Sequence, residues 1–418
     1  MKVLILNTSE RTGGAAVAAN RLMNALCKQG VEANMLVRDK QSDDERVVSV
    51  NHSGFQRRLN FLRFVWERLV IFLCNKLNRK DLFRVSIANT GVNLTTHPLV
   101  KEADVIHLHW INQGFLSLKG LRQLIATGKT IVWTMHDMWP ATAICHYPGD
   151  CTKYLTACSH CALSAPHPLW DLAVSTFRQK GSIAFHQIAF VGCSQWIAKQ
   201  AKQGKWLQSA SFTSIPNPID MSIFKPVERV VARRHFHLAE DRLFVLFAAA
   251  KLSEVRKGAT YFIEACQALS TIYGDRMEVL LMGNSADELE QRVPFKVNTL
   301  GYLSDAQEMA LVYNCADLFV IPSLEDNLPN TIMEAMACGT PCVGFQTGGI
   351  PEMIDHEQNG YVAHYQDAQD LAKGIQWVIN HPEPEALRQA CVEKVRTHYA
   401  EAVVAQQYIT LYEQLLKR

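Results

Sequence analysis

The feature that most constrains the fold is an alternation of strand and helix that is interrupted once and then restarts. It opens with an apolar strand at residues 3–6, a glycine pair at Gly13-Gly14, a helix at 15–28 and a strand at 31–37. Strand, glycine turn, helix and strand in this order begin a parallel α/β sheet. The sequence therefore predicts a Rossmann-like unit from its first residues.

A proline-punctuated segment at residues 215–226 separates this alternation from a second one, which starts with a strand at 243–250. Prolines at this density resist both helix and central strand. The chain has 418 residues, more than the roughly 250–300 at which a single hydrophobic core stops growing. We therefore expect one Rossmann-like domain at 1–220, a second at 221–395, and a final helix at 396–418 that packs across the domain junction. Ligands of such sheets bind beyond the carboxyl ends of the strands, so two facing units are expected to enclose a cleft.

Composition narrows the class of protein. The chain is 48% hydrophobic and 20% charged, with a formal net charge of +2, so nothing global indicates a nucleic-acid partner. The N-terminal apolar run is too short for a signal peptide, and no stretch of about 18 uncharged apolar residues occurs. We expect a cytoplasmic protein whose twelve cysteines are reduced core residues or metal ligands.

The first chemical motif is the segment 323–341, in which a polar loop follows a buried strand and leads into a helix starting near Thr331. Asp326 lies in the loop and Glu334 eight positions later. Free N–H groups at a helix start suit a phosphate, and the two carboxylates could accept hydrogen bonds from sugar and ribose hydroxyls. The alternative is a capping box, in which Glu334 reaches back to the N–H of Thr331.

Two further motifs follow strands. Lys251 and the pair Lys257-Gly258 come directly after the first strand of the second unit, where a basic loop could bind phosphate or simply be solvated. Gly13 and Gly14 let the backbone approach a ligand at a helix start, although an ordinary tight turn explains them equally well.

Three histidines lie at predicted strand ends, at the edge of the sheet where ligands bind. His107 and His109 alternate along one strand and therefore share a face, and His136 follows the next strand. We interpret His107 as structural and leave His109 open between a structural and a functional role.

The segment from Asp326 to Glu334, followed by Ala-Met-Ala-Cys-Gly-Thr-Pro, resembles the retaining glycosyltransferases of family 4, which have the α/β GT-B fold. In that family Glu334 corresponds to the residue that binds the nucleotide ribose, and Asp326 replaces the usual first Glu. Lys251 and Lys257 match the positions directed at the donor diphosphate, with Lys251 in place of the commoner Arg. The resemblance is strong over residues 243–362 and weaker over the first domain.

The resemblance implies a set of site residues and a reaction. The catalytic group would be His136, Lys251, Lys257 and Asp326, and the donor nucleotide-sugar would contact Gly13, Gly14, Lys251, Lys257, Asp326, Asn327, Leu328, Asn330 and Glu334. A sugar would pass from a nucleotide-diphospho-sugar to a hydroxyl of a glycan or lipid-linked glycan with retention, without a catalytic metal. The alternatives are a GT-B epimerase or phosphorylase and a non-catalytic sugar-nucleotide binder.

Four cysteines lie close together in the first domain: Cys145, Cys151, Cys158 and Cys161. Their spacing, ending in C-x-x-C, is compatible with a structural zinc site. The alternatives are free thiols packed in a loop, or a disulfide formed on oxidation.

Residues 55–80 form a basic and apolar segment. Apolar side chains recur at helical spacing at Leu59, Leu62, Trp66, Leu69 and Leu73. Such a helix could lie in the interface of a membrane, on the inner face of the cytoplasmic membrane, or it could pack against the first domain.

Overall fold

The computed structural model describes residues 1–79, 81–165 and 171–417. The chain forms two compact units, Met1–Pro216 together with the chain from Val404 onward, and Asn217–Val403. Each unit contains one parallel sheet with helices packed on it.

The first unit has a seven-stranded sheet in the order β3-β2-β1-β4-β5-β6-β7. Its strands are β1 (Lys2–Ser9), β2 (Glu32–Asp39), β3 (Val47–Ser49), β4 (Val105–Leu108), β5 (Thr130–Met135), β6 (Ile188–Gly192) and β7 (Ser211–Ser214). Its helices are α1 (Gly14–Lys28), α2 (Gly54–Cys74), α3 (Pro98–Glu102), α4 (Leu118–Ile125), α5 (Leu172–Lys180) and α6 (Gln195–Lys202).

The second unit has a six-stranded sheet in the order β10-β9-β8-β11-β12-β13. Its strands are β8 (Leu243–Lys251), β9 (Met277–Asn284), β10 (Lys296–Gly301), β11 (Leu318–Ile321), β12 (Cys342–Phe345) and β13 (Gly360–Ala363). Its helices are α7 (Arg229–His235), α8 (Ala259–Tyr273), α9 (Asp287–Arg292), α10 (Ala306–Cys315), α11 (Asn330–Ala337), α12 (Ile350–Met353), α13 (Ala368–Ile379) and α14 (Pro384–His398), and α15 (Glu401–Leu416) follows.

Each sheet reverses its strand order once, at a topological switch point. In the first unit this point lies between β1 and β4, which pair in parallel with Val3 opposite Val105. In the second it lies between β8 and β11, where Val245 is opposite Leu318. Loops that leave the carboxyl ends of two such strands diverge to opposite faces and leave a crevice, which is where ligands of open α/β sheets bind.

The apolar central strands supply the cores. One cluster of the first unit is built on one side of the sheet around Ile106, Trp133 and Phe190, all 2% exposed or less. Helix α15 closes another, since Tyr408 and Tyr412 pack with residues of β1 and β2. The C-terminal helix is therefore part of the first unit from Val404 onward.

Candidate active site

The loops after β8, β11 and β12 meet at the switch point of the second sheet. The amide of Leu324 donates to the carbonyl of Arg256 at 2.8 Å, and Arg256 Nη1 donates to the carbonyl of Glu325 at 2.7 Å. The hydroxyl of Thr347, which follows β12, donates to the carbonyl of Leu324 at 3.3 Å. These bonds tie three loops into one assembly at the carboxyl edge of the sheet.

Gly258 allows the first two loops to approach each other. Its φ is +72°, and a Cβ at this position would lie 1.8 Å from the carbonyl oxygen of Pro322. Only glycine fits so close an approach with this backbone conformation. The preceding residue, Lys257, is thereby placed against the loop after β11, where its Nζ lies 2.7 Å from Asp326 Oδ2.

Asp326 is a buried carboxylate held in its ionised form. Burial opposes ionisation, but the charges of Lys257 and Arg256, with the hydrogen bonds from Lys257 and Ser323, outweigh it and keep the pKa of Asp326 below its ordinary value. Arg256 Nη1 lies 3.6 Å from the carboxylate, and the hydroxyl of Ser323 donates to it at 3.3 Å. Arg256 Nε also pairs with Glu254 Oε1 at 3.0 Å, so two cations and two carboxylates form one network in these loops.

Glu334 lies inside α11, and the capping-box alternative for it is wrong. The helix begins at Asn330 after Pro329, so Thr331 is not the N-cap residue. Glu334 is 3% exposed and accepts a hydrogen bond of 3.0 Å from the hydroxyl of Tyr313. Pro329 is the N-cap residue and supplies no side-chain cap to α11.

The other donor-binding residues predicted in the second unit lie in or beside these loops. Asn327 and Leu328 are buried between Asp326 and the start of α11. Asn330 is the first helical residue, and its Oδ1 accepts a hydrogen bond of 3.1 Å from Asn217. Lys251 ends β8 with an exposed side chain, and no ion pair or hydrogen bond reaches that side chain from the described residues.

Arg256, Ser323 and Tyr313 were not predicted as site residues. Arg256 is adjacent to the predicted Lys257, and its position in the same basic loop was the one signal that could have identified it. Tyr313 precedes Glu334 by 21 positions, and nothing in its local sequence connects it to a carboxylate. These contacts exist only because the fold brings separate segments together.

In the first unit, Gly13 and Gly14 lie at the turn between β1 and α1, where the sequence predicted them. Gly13 is the N-cap of α1 without a side-chain cap, and Gly14 is the first helical residue. The turn is supported by Glu10, which is 0% exposed. Glu10 accepts hydrogen bonds from the backbone amides of Gln41 and Ser42 at 2.6 and 2.9 Å.

His107 is enclosed by the first unit. Its Nε2 lies 2.8 Å from Thr134 Oγ1, and its Nδ1 lies 2.7 Å from the hydroxyl of Tyr412 in α15. Burial lowers its pKa to about 3. Both ring nitrogens therefore have buried partners, as the structural interpretation of this histidine requires.

His109 and His136 form a second arrangement at the ends of β4 and β5. His109 Nδ1 lies 2.8 Å from His136 Nε2, so one of the two rings donates to the other. Burial lowers the pKa of His136 to about 4 and that of His109 well below its ordinary value. Both rings are consequently neutral near pH 7, and they act as hydrogen-bonding groups rather than as cations.

The structure does not assemble the four-cysteine loop into a metal site. Among the described residues, no group of three or more histidine, cysteine, aspartate or glutamate side chains is placed to hold a metal ion. Cys145 is buried, Cys151 is exposed, and Cys158 and Cys161 are half-buried, all as free thiols. The zinc hypothesis receives no structural support.

Helix α2 packs against the first domain, as one of the two alternatives predicted, but it leaves the predicted apolar face exposed. The five apolar residues of the predicted stripe leave between 37% and 59% of their surface exposed. The inner face is polar instead: Glu67 Oε1 accepts the amides of Ile87 and Ala88 at 2.9 and 3.0 Å, and Arg68 Nη1 donates to the carbonyl of Val85 at 3.0 Å. Lys80, the last residue of the predicted segment, lies outside the described residues.

Comparison with known proteins identifies the family. The family described as "Glycosyltransferase Family 4" matches residues 12–223, about half of the chain. A second family, "Glycosyl transferases group 1", matches residues 243–381, which include the loops at the switch point of the second sheet. The chain belongs to glycosyltransferase family 4. It is a glycosyltransferase.

Curated relatives agree with this assignment. A putative colanic acid biosynthesis glycosyl transferase of Escherichia coli is 23% identical over 85% of this chain and 85% of its own length. An N,N'-diacetylbacillosaminyl-diphospho-undecaprenol alpha-1,3-N-acetylgalactosaminyltransferase of Campylobacter jejuni is 31% identical over 38% of this chain. The chain spans only 42% of that enzyme, and 37% of an uncharacterised Haemophilus influenzae glycosyltransferase that is 25% identical.

Solved structures show that the fold is GT-B. The sucrose-phosphate synthase of Thermosynechococcus elongatus superposes with a TM-score of 0.69 and 20% identity, covering 100% of this chain and 99% of that chain. The Anabaena protein HepE in complex with UDP and glucose superposes with a TM-score of 0.65 and 17% identity, covering 99% and 100%.

Proposed function

We propose that this glycosyltransferase moves a sugar from a nucleotide-diphospho-sugar to a hydroxyl of a glycan or lipid-linked glycan, with retention of anomeric configuration. The observation that carries the proposal is the buried Lys257–Asp326 pair at the switch point of the second sheet, with Arg256 as an additional cation. Basic side chains held at the carboxyl edge of the sheet, beside the start of α11, suit a diphosphate.

Each residue of the second unit then has a defined role. Lys257 and Lys251 stabilise the charge that grows on the departing diphosphate, and they do so without a catalytic metal. Asp326 accepts hydrogen bonds from hydroxyls of the transferred sugar. Glu334, fixed by Tyr313, accepts those of the ribose. The departing phosphate takes the acceptor proton on the same face of the sugar, so the configuration is retained.

The first unit supplies the acceptor side in this proposal. His136, neutral and held by His109, serves as a hydrogen-bonding group for a sugar hydroxyl, and the turn at Gly13-Gly14 lets the backbone approach a ligand at a helix start. The Anabaena neighbour has been solved with UDP-glucose, and the Campylobacter relative is named for a diphospho-undecaprenol substrate. Both support a nucleotide-sugar donor and a lipid-linked acceptor for this chain.

Donor binding can be tested by a thermal-shift panel of UDP-glucose, UDP-N-acetylglucosamine, GDP-mannose, ADP-glucose and a CDP-sugar. At least one donor should raise the unfolding midpoint, because a ligand that binds only the folded state stabilises it. The shift should be lost in Glu334→Ala. A shift that survives in this variant would contradict the assignment of the ribose contact.

The retaining mechanism is tested on the purified product. Its NMR spectrum should show the anomeric configuration of the donor sugar, and an inverted configuration would contradict the retaining mechanism.

Helix α2 fits a peripheral membrane contact for an enzyme with such an acceptor. No helix among the described residues has the length and hydropathy needed to cross a bilayer. The outward face nevertheless exposes Phe61 to 61% and Trp66 to 55%, while Arg57 and Arg58 are exposed and the single acid of the helix, Glu67, is buried. An apolar face with basic residues beside it binds to anionic lipid surfaces.

Flotation with vesicles of phosphatidylglycerol and phosphatidylethanolamine tests this contact. Trp66→Asp should reduce the floated fraction several-fold, because it places a charge within the apolar face. Ile272→Asp is the matched control, since Ile272 is 49% exposed in the second unit. Equal flotation of the two variants would contradict the role of α2.

A further inference from the structure

A small pocket in the first unit lies at the ends of β4 and β5, beside the paired histidines. It is lined by His109, Asn112, Trp133, Trp139 and other residues of the two loops, with room for a group about the size of a hydroxyl or a water molecule. Trp110 and His136 are the lining residues that are partly exposed, so they mark its opening.

Two buried polar atoms in this pocket have no partner among the described residues. They are Nε2 of His109 and Oδ1 of Asn112, on side chains 4% and 2% exposed. Buried polar atoms are nearly always hydrogen-bonded, so each such atom requires an explanation. The carboxylate in the pocket wall, Asp137, already has hydrogen-bond partners, since His146 and Trp110 lie 2.6 and 2.9 Å from it.

The chemistry of the two atoms defines the ligand group. Asn112 Oδ1 can only accept a hydrogen bond, so the ligand must donate one. His109 Nε2 either donates or accepts, because its role depends on which ring carries the proton in the 2.8 Å contact with His136. A hydroxyl satisfies both atoms when His136 Nε2 donates to His109 Nδ1, because His109 Nε2 then carries the proton and donates to the hydroxyl oxygen while the hydroxyl donates to Asn112 Oδ1. The indole rings of the wall suit the C–H faces of a sugar.

The loop that carries Asn112 is held before any ligand arrives. The hydroxyl of Thr8 donates to the backbone carbonyl of Asn112 at 2.8 Å. Gly114, two residues on, packs so closely against α2 that a Cβ would lie 2.8 Å from the amide nitrogen of Phe64. A preorganised loop binds its ligand with little loss of conformational entropy.

We propose that this pocket is a subsite for one hydroxyl of a carbohydrate, which donates to Asn112 Oδ1 and accepts from His109 Nε2. The proposal rests on the proposed function, because the sugar belongs either to the donor or to the acceptor of the transfer. In both cases Asn112 is a specificity-determining residue for the configuration of the carbon that carries this hydroxyl.

The test compares two variants of the full chain. Asn112→Leu removes the acceptor oxygen with a side chain of similar volume, and Asn112→Asp keeps an acceptor oxygen at the same position. Asn60→Leu is the control: Asn60 is also 2% exposed in the first unit, but its side chain is bonded to Asn51 and Arg63. In the donor arm, calorimetry measures binding of the nucleotide-sugars named above. In the acceptor arm, tryptophan fluorescence follows titration with the methyl α-glycosides of glucose, galactose and mannose in the presence of the matching nucleoside diphosphate.

Asn112→Leu should weaken binding of at least one probe by roughly tenfold, the effect of one lost hydrogen bond, while the aspartate variant and the control stay near wild type. Weaker binding of a nucleotide-sugar by Asn112→Leu assigns the hydroxyl to the donor, and weaker binding of a methyl glycoside assigns it to the acceptor. Binding of every probe within twofold of wild type by Asn112→Leu would overturn the subsite and leave a water-filled pocket. If the leucine variant does not fold, Asn112→Ala replaces it under the same criteria. Binding of no probe by the wild-type chain would overturn the proposed function itself, and the subsite with it.

Discussion

Replacing Lys257 with methionine separates the structural role of this residue from its proposed role in catalysis. The variant keeps the aliphatic stem and removes a charge whose Nζ lies 2.7 Å from Asp326 Oδ2, between side chains 19% and 11% exposed. Loss of a hydrogen bond to a charged group costs about 1.5–3 kcal/mol. Leaving a buried charge wholly unpaired costs about 3–5 kcal/mol, but Arg256 stays 3.6 Å from the carboxylate. We therefore expect the free energy of unfolding to fall by about 2 kcal/mol.

The effect on the reaction should be larger than the effect on stability. Removal of one preorganised group that stabilises developing charge typically lowers kcat by about 10²–10³. Urea denaturation measures the first effect, and the transfer rate with a saturating donor measures the second. Lys394→Met is the matched control, since Lys394 Nζ pairs with Asp355 Oδ1 at 2.9 Å in the same unit, with the lysine 14% exposed. For Lys394→Met we expect a loss of stability that is similar to or smaller than that of Lys257→Met, with an unchanged transfer rate. The assignment of Lys257 to the diphosphate is refuted if Lys257→Met loses stability but keeps its rate.

Three further predictions follow from the packing. Gly258→Ala should lower the midpoint of thermal unfolding far more than Gly30→Ala does. Both positions have positive φ, but only at Gly258 would a Cβ lie against backbone, 1.8 Å from a carbonyl oxygen. Equal shifts of the midpoint in the two variants would contradict the tight approach of the loops. Acidification from pH 6.5 to 5 should lower the free energy of unfolding by about 1 kcal/mol per pH unit for each of His107, His109 and His136. Their pKa values are lowered in the folded state, so the unfolded chain takes up protons first. A flat profile in urea titrations over this range would contradict their burial as neutral groups. Elemental analysis of protein purified without chelator should find less than one zinc per chain, because the structure does not bring the four cysteines together as a metal site. One equivalent of zinc per chain would show that the four-cysteine loop rearranges around a metal.

Apolar runs in the sequence predict the central strands of both sheets and miss the edges. The predicted strands are 3–6, 31–37, 104–109, 130–133 and 188–192 in the first unit, and 243–250, 279–282, 318–321 and 342–345 in the second. The strands that were not predicted in the first unit are β3 and β7, and those in the second are β10 and β13, which are the two outer strands of each sheet. Central parallel strands are buried on both faces and appear as continuous apolar runs. An edge strand such as β7, Ser-Phe-Thr-Ser, alternates between exposed and half-buried positions, so its sequence carries no comparable signal.

The residues of the candidate site were predictable where one segment carries them. Asp326 and Glu334 lie in a single strand–loop–helix motif, and Lys257 follows a strand. The partner of Glu334 was not predictable, because Tyr313 reaches it from α10. Periodicity also failed for α2, since it identifies an apolar face but not the side on which that face lies. Buried hydrogen bonds of Glu67 and Arg68 with the chain at residues 82–88 turn the polar face inward.

The central claim is that the chain transfers sugar from a nucleotide donor, and a transfer assay tests it most directly. Full-length protein is incubated with radiolabelled nucleotide-sugars and a membrane extract, and the lipid and polysaccharide fractions are then separated from the donor. The account predicts label in a lipid-linked or polysaccharide product, at a rate reduced at least tenfold in Lys257→Met. Recovery of the label only as isomerised donor, or only as intact bound donor, would contradict it.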